Sequence, residues 1–205
     1  MFVRQLTTTY RDTALSGPSP RARPTRQSGF TLIELVIVMI LVGILAAIGI
    51  PSFRSITTSS RMSAESNTLL GDLQYARAEA AREGEPVTVC IANTASTACN
   101  AASNTWQGGW IIFSDLNDDQ TVDTGDAVLR VQRAFSSTDT FTSGNTDYAV
   151  TFTREGFAYL GAAAGGLIVT LHNTPYNDYY SRCLEITQAG MMSIQTPTSD
   201  AAGCS

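Results

Sequence analysis

A chain of 205 residues can hold one full-sized domain plus an anchor, but not two large domains. It carries 13 arginines, no lysine and 18 acids, for a net charge of -5, with one His and four Cys. That inventory holds no zinc-type ligand spacing, no paired nucleophile and base and no cofactor loop, so neither an enzyme nor a bound cofactor is expected.

The charge is unevenly placed. Residues 1–29 hold Arg4, Arg11, Arg21, Arg23 and Arg26 against Asp12 alone, while the remainder holds most of the acids. Between Leu35 and Ile50 there is no charged residue, and widening the window to Phe30–Phe53 adds only Thr31, Glu34 and Ser52 as polar side chains. A hydrocarbon core takes roughly 20 helical residues. Basic sequence before the run and acidic sequence after it follow the positive-inside pattern. The expected topology is a single pass of the inner membrane, with residues 1–29 cytoplasmic and the body in the periplasm. A buried core helix would not need so long an uncharged run. A secretory signal could use Ala46-Ala47 as a cleavage site, but the apolar run continues past it.

At the junction the chain reads Ser28-Gly29-Phe30-Thr31-Leu32-Ile33-Glu34-Leu35, with Pro51 downstream. This resembles the class III signal of type IV pilins and type II secretion pseudopilins. The resemblance implies that a prepilin peptidase/N-methyltransferase cuts between Gly29 and Phe30 and that the new amino group of Phe30 is methylated. It also implies that Glu34 pairs with the N-terminal ammonium of a neighbouring subunit during assembly. The physics agrees, because an isolated carboxylate one turn inside an apolar segment is expensive to bury. The competing expectation is a Glu34 that snorkels at the membrane edge. The leader is longer than a minimal one, and Ser16–Pro24 reads as disordered from its Ser, Pro and Arg content.

Gly43, Gly49 and Pro51 interrupt the apolar helix, and Pro51 should kink or open it locally. Beyond Pro51 the pattern turns amphipathic. Met62, Leu69, Leu73, Ala76 and Ala80 recur at helical spacing among Arg61, Glu65, Asp72, Glu79 and Glu83, and Gly84 and Pro86 stop the helix. Strands are expected at Val87–Ile91, Trp110–Phe113, Ala127–Val131, Tyr148–Phe152, Gly156–Leu160, Leu167–Leu171, Cys183–Thr187 and Met191–Gln195. The fold expected is α+β and pilin-like: a long N-terminal helix, membrane-spanning in its first half, packed on an antiparallel β-sheet head. The divisions are a cleaved leader (1–29), a membrane and filament-core helix (30–53), an amphipathic continuation (54–84) and a β-rich periplasmic head (85–205).

Within the head, Leu73–Ala80, Gly109–Asp115, Asn117-Asp118-Asp119, Val128-Leu129-Arg130 and Phe152–Gly156 resemble the GspH/FimT branch of minor pseudopilins, which takes in FimU-like subunits. That resemblance implies a non-catalytic minor pilin or pseudopilin that primes or joins a type IV pilus at or near its tip. Its partners would be the peptidase, other minor and major pilins or pseudopilins, and the inner-membrane assembly platform. A type II secretion pseudopilus has the same physics and stands as the alternative. Some FimT members bind DNA through a Gly-Arg-x-Arg motif. This chain has Gly190-Met191-Met192-Ser193 there, and its mature part is acidic, so DNA is not an expected partner.

Cys90, Cys99, Cys183 and Cys204 all follow the membrane segment. Four cysteines allow three pairings, and sequence proximity favours Cys90–Cys99 and Cys183–Cys204. His172 is expected on a surface loop. The stretch from Asp115 to Asp126 offers Asp115, Asn117, Asp119, Thr121, Asp123 and Asp126 in partial EF-hand spacing. Gln120 stands where that loop needs glycine, however, and strands flank it, so a polar hairpin tip without metal is the expectation.

Overall fold

The computed structural model describes residues 29–144, 147–160 and 166–196. The leader before Gly29 and the tail bearing Cys204 lie outside the described residues. Met1–Ala46 and Ala47–Ser205 are separate compact units, and α1 (Leu32–Glu83) has residues in both. In the first unit its side chains are exposed almost throughout. α1 is long and apolar enough to cross a membrane, with a mean hydropathy of 2.9 in its most apolar window. The helix begins at Leu32 rather than Phe30, because Thr31 caps it. It runs as one helix past Pro51.

In the second unit the predicted stripe is the buried one. Met62, Leu69, Leu73, Ala76 and Ala80 are each at most 1% exposed, and sealing each large side chain contributes about 1.5–3 kcal/mol. Two sheets, both antiparallel, face this stripe. One runs β3 (Ala127–Arg133), β2 (Gly109–Ser114), β1 (Val87–Ile91), β5 (Ala149–Phe152), β6 (Ala158–Tyr159); the other runs β4 (Thr140–Ser143), β7 (Leu167–His172), β8 (Arg182–Ile186), β9 (Met192–Gln195). One apolar cluster joins the helix stripe to Val87, Val89, Ile112, Phe141, Val150, Phe152, Val169, Leu171 and Leu184 of both sheets. The α+β expectation of a helix packed on antiparallel sheet holds in this unit.

β1 is buried on both faces, since its alternate residues Thr88 and Cys90 meet a second layer of Ile111, Phe113 and Ala149. Helix end and turn chemistry match the residues that make them. α1 stops one residue before Gly84, which has a φ of 76°.

Three expectations fail locally. β4 was not expected: Thr140–Ser143 has a single apolar residue, Phe141, among hydroxyl side chains. It is a strand because Phe141 fills the core and its N–H donates to Gln107 Oε1 at 2.9 Å while β7 pairs alongside. β6 is shorter than Gly156–Leu160, because Thr153–Gly156 forms a tight turn, with Gly156 N–H on the Thr153 carbonyl at 2.8 Å, before pairing can start. His172 is the last residue of β7 and half-buried, not a loop residue. Its Nδ1 lies 2.9 Å from Ser181 Oγ, its ring meets Tyr176 edge-on, and burial lowers its pKa against the opposing charge of Asp178.

Candidate functional site

The start of α1 carries the residues singled out for processing and assembly. Gly29 and Phe30 precede the helix and are exposed, Phe30 at 81%. Thr31 Oγ1 accepts the backbone N–H of Glu34 at 3.3 Å. Thr31 and Glu34 therefore occupy the N-cap and N3 places of a Thr-x-x-Glu capping box, a signal present in the sequence and not used in reading it. Glu34 lies in the first helical turn, where the helix dipole favours negative charge. Its side chain is exposed, and among the described residues no cation pairs with its carboxylate.

Glu65 and Asp72 share the amphipathic segment with the apolar stripe. Both are buried on the inner side, at 8% and 5% exposure. The stripe itself carried the signal, because positions 65 and 72 fall three and ten residues after Met62 and so on its face. Asp72 is placed in a polar clamp, whereas Glu65 Oε2 is buried without a hydrogen-bond partner among the described residues. Asp72 Oδ2 accepts Trp110 Nε1–H at 2.9 Å, and Asp72 Oδ1 meets Arg130 Nη1 at 2.5 Å. Arg130 also lies over the Tyr75 ring, 4.1 Å from its centre. The register does the positioning: Arg130 pairs with Ile112, whose side chain is in the core, and the chain shifts at the next step, leaving Leu129 as an extra residue on β3.

Lower on the same helix, Arg61 makes a two-pronged ion pair with the wholly buried Asp139, at 2.7 and 3.0 Å. Asp139 Oδ1 also accepts Thr174 N–H at 3.0 Å, fastening the loop after β7. Glu65 lies beside this pair. Burial raises its carboxyl pKa; Ser137 opposes the shift, the Asp139 charge adds to it, and Arg61 opposes it.

Nearer the helix end, Arg77 packs on two left-handed glycines. A Cβ on Gly156 would come 3.0 Å from the guanidinium, and one on Gly190 would come 2.1 Å from the Gly156 carbonyl. Around them lies an open groove of about 680 Å³ lined in part by Gln74, Glu155 and Met191. Gly190 is therefore required by close packing, and the residues after it are methionines rather than arginines.

The acidic stretch is a hairpin tip anchored from below. Asp115 is fully buried and accepts Thr88 Oγ1–H at 2.7 Å, Gln120 N–H at 3.0 Å and Asp119 N–H at 3.1 Å. Thr88 in turn contacts Thr151, which accepts from Gln120 Nε2, so the hairpin is locked onto β1 and β5. Asp119 accepts from Thr121, which lowers its pKa, and Asp126 accepts from Leu116 and Asp123. Among the described residues no three His, Cys, Asp or Glu side chains are grouped to hold a metal ion.

Cys90 and Cys99 are disulfide-bonded, with 5.5 Å between their Cα atoms. Cys183 is also disulfide-bonded, and Cys204, the partner expected for it, lies outside the described residues.

A family model described as type II transport protein GspH matches residues 65–190, and the prokaryotic N-terminal methylation motif matches residues 24–50. The chain is 39% identical over 82 residues to the type IV major fimbrial protein FimA of Dichelobacter nodosus, covering 40% of this chain. The match spans 48%, about half, of that curated relative's length. Two crystal structures of the type IV minor pilin FimU of Pseudomonas aeruginosa are 20% identical, with TM-scores of 0.47 and 0.48. Each covers 70% of this chain, and the likeness takes in 97% and 92% of those chains.

Proposed function

This chain belongs to the family described as type II transport protein GspH, and from that membership we propose that it is a non-catalytic minor subunit of a type IV pilus, entering the filament at or near its tip. In this reading the prepilin peptidase/N-methyltransferase cuts between Gly29 and Phe30 and methylates Phe30. The helix from 30 to 53 first holds the chain in the inner membrane, with the head in the periplasm, and then packs among other minor and major pilins delivered by the assembly platform.

The observation that carries the reading is Glu34. Its backbone N–H is held by Thr31, while its carboxylate is exposed on an uncovered apolar helix and lacks a cation among the described residues. A charge in that setting needs a partner when the helix is buried among other helices. The free ammonium of a neighbouring Phe30 supplies one. Glu34→Ala keeps the Thr31-to-backbone bond. It is expected to leave membrane insertion and trimming intact and to lower recovery in sheared filaments by about tenfold or more. Normal incorporation of the variant would remove Glu34 from assembly.

A second reading places the same subunit in a type II secretion pseudopilus, favoured by the family's description. Deleting the gene separates the two: loss of surface pili supports the first, and loss of secreted enzymes with pili intact supports the second.

A further inference from the structure

We propose that the loop carrying Tyr176, Tyr179 and Tyr180 is a lipid-headgroup contact that seats the head on the outer face of the membrane before assembly. The inference rests on the membrane-spanning reading of the apolar helix. A hydrocarbon core takes roughly 20 residues counted from Phe30, so Ile50 stands at its outer boundary and Ser55–Thr58 fall in the headgroup layer. The loop after β7 packs against that stretch of α1. Tyr180 Oη lies 2.7 Å from Ser55 Oγ, and a groove lined by Pro51, Arg54, Thr58, Thr174 and Tyr176 runs between loop and helix.

The chemistry of the loop fits that layer. Tyr176 is 51% exposed and Tyr179 is 75% exposed, an unusual display of ring surface for a water-facing loop. Phe53 and Ile56, on the adjoining part of α1, are likewise 71% and 63% exposed. Tyrosines gather at membrane interfaces because the ring suits the acyl boundary and the hydroxyl suits the headgroups. Arg54 and Arg182 supply positive charge for phosphate groups. Asp178, the acid of the loop, accepts a hydrogen bond from the Tyr176 hydroxyl. The loop is also held in place. Thr174 N–H donates to Asp139, Asn177 N–H donates to Asn173 Oδ1 at 3.1 Å, and Arg182 Nη1 donates to the Tyr179 and Ser181 carbonyls. The rings are thus presented from a braced segment.

The test uses the full chain in vesicles of phosphatidylethanolamine and phosphatidylglycerol, with quenchers attached either at the headgroup or deep in the acyl chain. Three variants each add one tryptophan: Tyr179→Trp in the loop, Ile40→Trp in the apolar helix and Leu116→Trp in the β2–β3 hairpin. The hairpin begins beside Pro86, just past the far end of α1, and the signal of the buried Trp106 and Trp110 is subtracted from each. Tyr179→Trp is expected to be quenched by the headgroup label at least about twofold more than Leu116→Trp, and Ile40→Trp to be quenched by the deep label. If Ile40→Trp is quenched and Tyr179→Trp matches Leu116→Trp, the loop stands in water and the proposal falls alone. Quenching of Tyr179→Trp that rises only with the protein-to-lipid ratio assigns the loop to a second copy and overturns it too. If Ile40→Trp is not quenched, the membrane-spanning reading fails with it.

Discussion

At the scale of single residues, the head depends on acids that the helix turns inward. Asp72 accepts a hydrogen bond from the Trp110 indole N–H and faces Arg130, so Asp72→Ala strands a buried donor and frees a cation. The expected cost is about 2–3 kcal/mol, read from denaturant unfolding of the detergent-held chain. Glu65 acts in the opposite direction. Its folded pKa is raised by burial from the usual value of 4.5. Its contribution is therefore fully present below that pH and is lost as pH rises through the raised value. Glu65→Gln should melt above the parent at about pH 7 and draw level with it or fall below at about pH 4, a crossing visible in melting temperatures across that range. The sequence showed both acids at their positions but not their surroundings. Helical spacing picks out the apolar stripe correctly, but it says nothing of whether an acid at the stripe's edge is covered. Partners such as Trp110 and Arg130, decades of residues away, come into reach only once the β2–β3 register is known.

At the scale of elements, glycine closes one tight turn within each sheet. Gly156 closes the turn after β5, and Gly190 closes the turn between β8 and β9; a Cβ on Gly190 would run into the Gly156 carbonyl, and one on Gly156 would press on the Arg77 guanidinium. Gly190→Ala must move the Gly156 carbonyl or leave its φ of 71°. It is expected to cost about 2 kcal/mol or more, and to raise hydrogen exchange at β6 and β9 before the rest of the head. Most strands were legible because Val, Ile and Phe mark them between turn residues, and Val87–Ile91 matches to the residue. β4 was not legible, since a Thr-Phe-Thr-Ser edge takes its identity from β7 and from the pocket that Phe141 fills. The acidic hairpin was legible as a turn. Its anchor was not, because Asp115 is tied to Thr88 and Thr151 across the sheet.

At the scale of the whole molecule, the chain joins an uncovered apolar helix segment to a head with a closed core, and the proposed processing acts at the short signal around Gly29. Chain recovered from host inner membranes should begin at Phe30 and carry one added methyl group on its amino nitrogen, as read by mass spectrometry of the N-terminal peptide. A chain that begins at Met1, or one cut after Ala47, would contradict the proposed route. The signal was legible because it is local: seven consecutive residues, Gly29–Leu35, carry it. The capping bond from Thr31 to Glu34 lies inside those same residues, which gives Glu34 a place in starting the helix beside its proposed role in assembly.

The shared core has a consequence for the order of events during synthesis. The helix stripe from Met62 to Ala80 leaves the ribosome early, yet it is sealed by Leu171, Leu184 and Ile186, which leave late. Contacts so distant along the chain close slowly. The stripe must therefore wait, uncovered, until nearly all of the head has been synthesised. Across that interval the unsealed stripe is open to non-native contacts, and a chain stopped before β7 would carry the helix without its core.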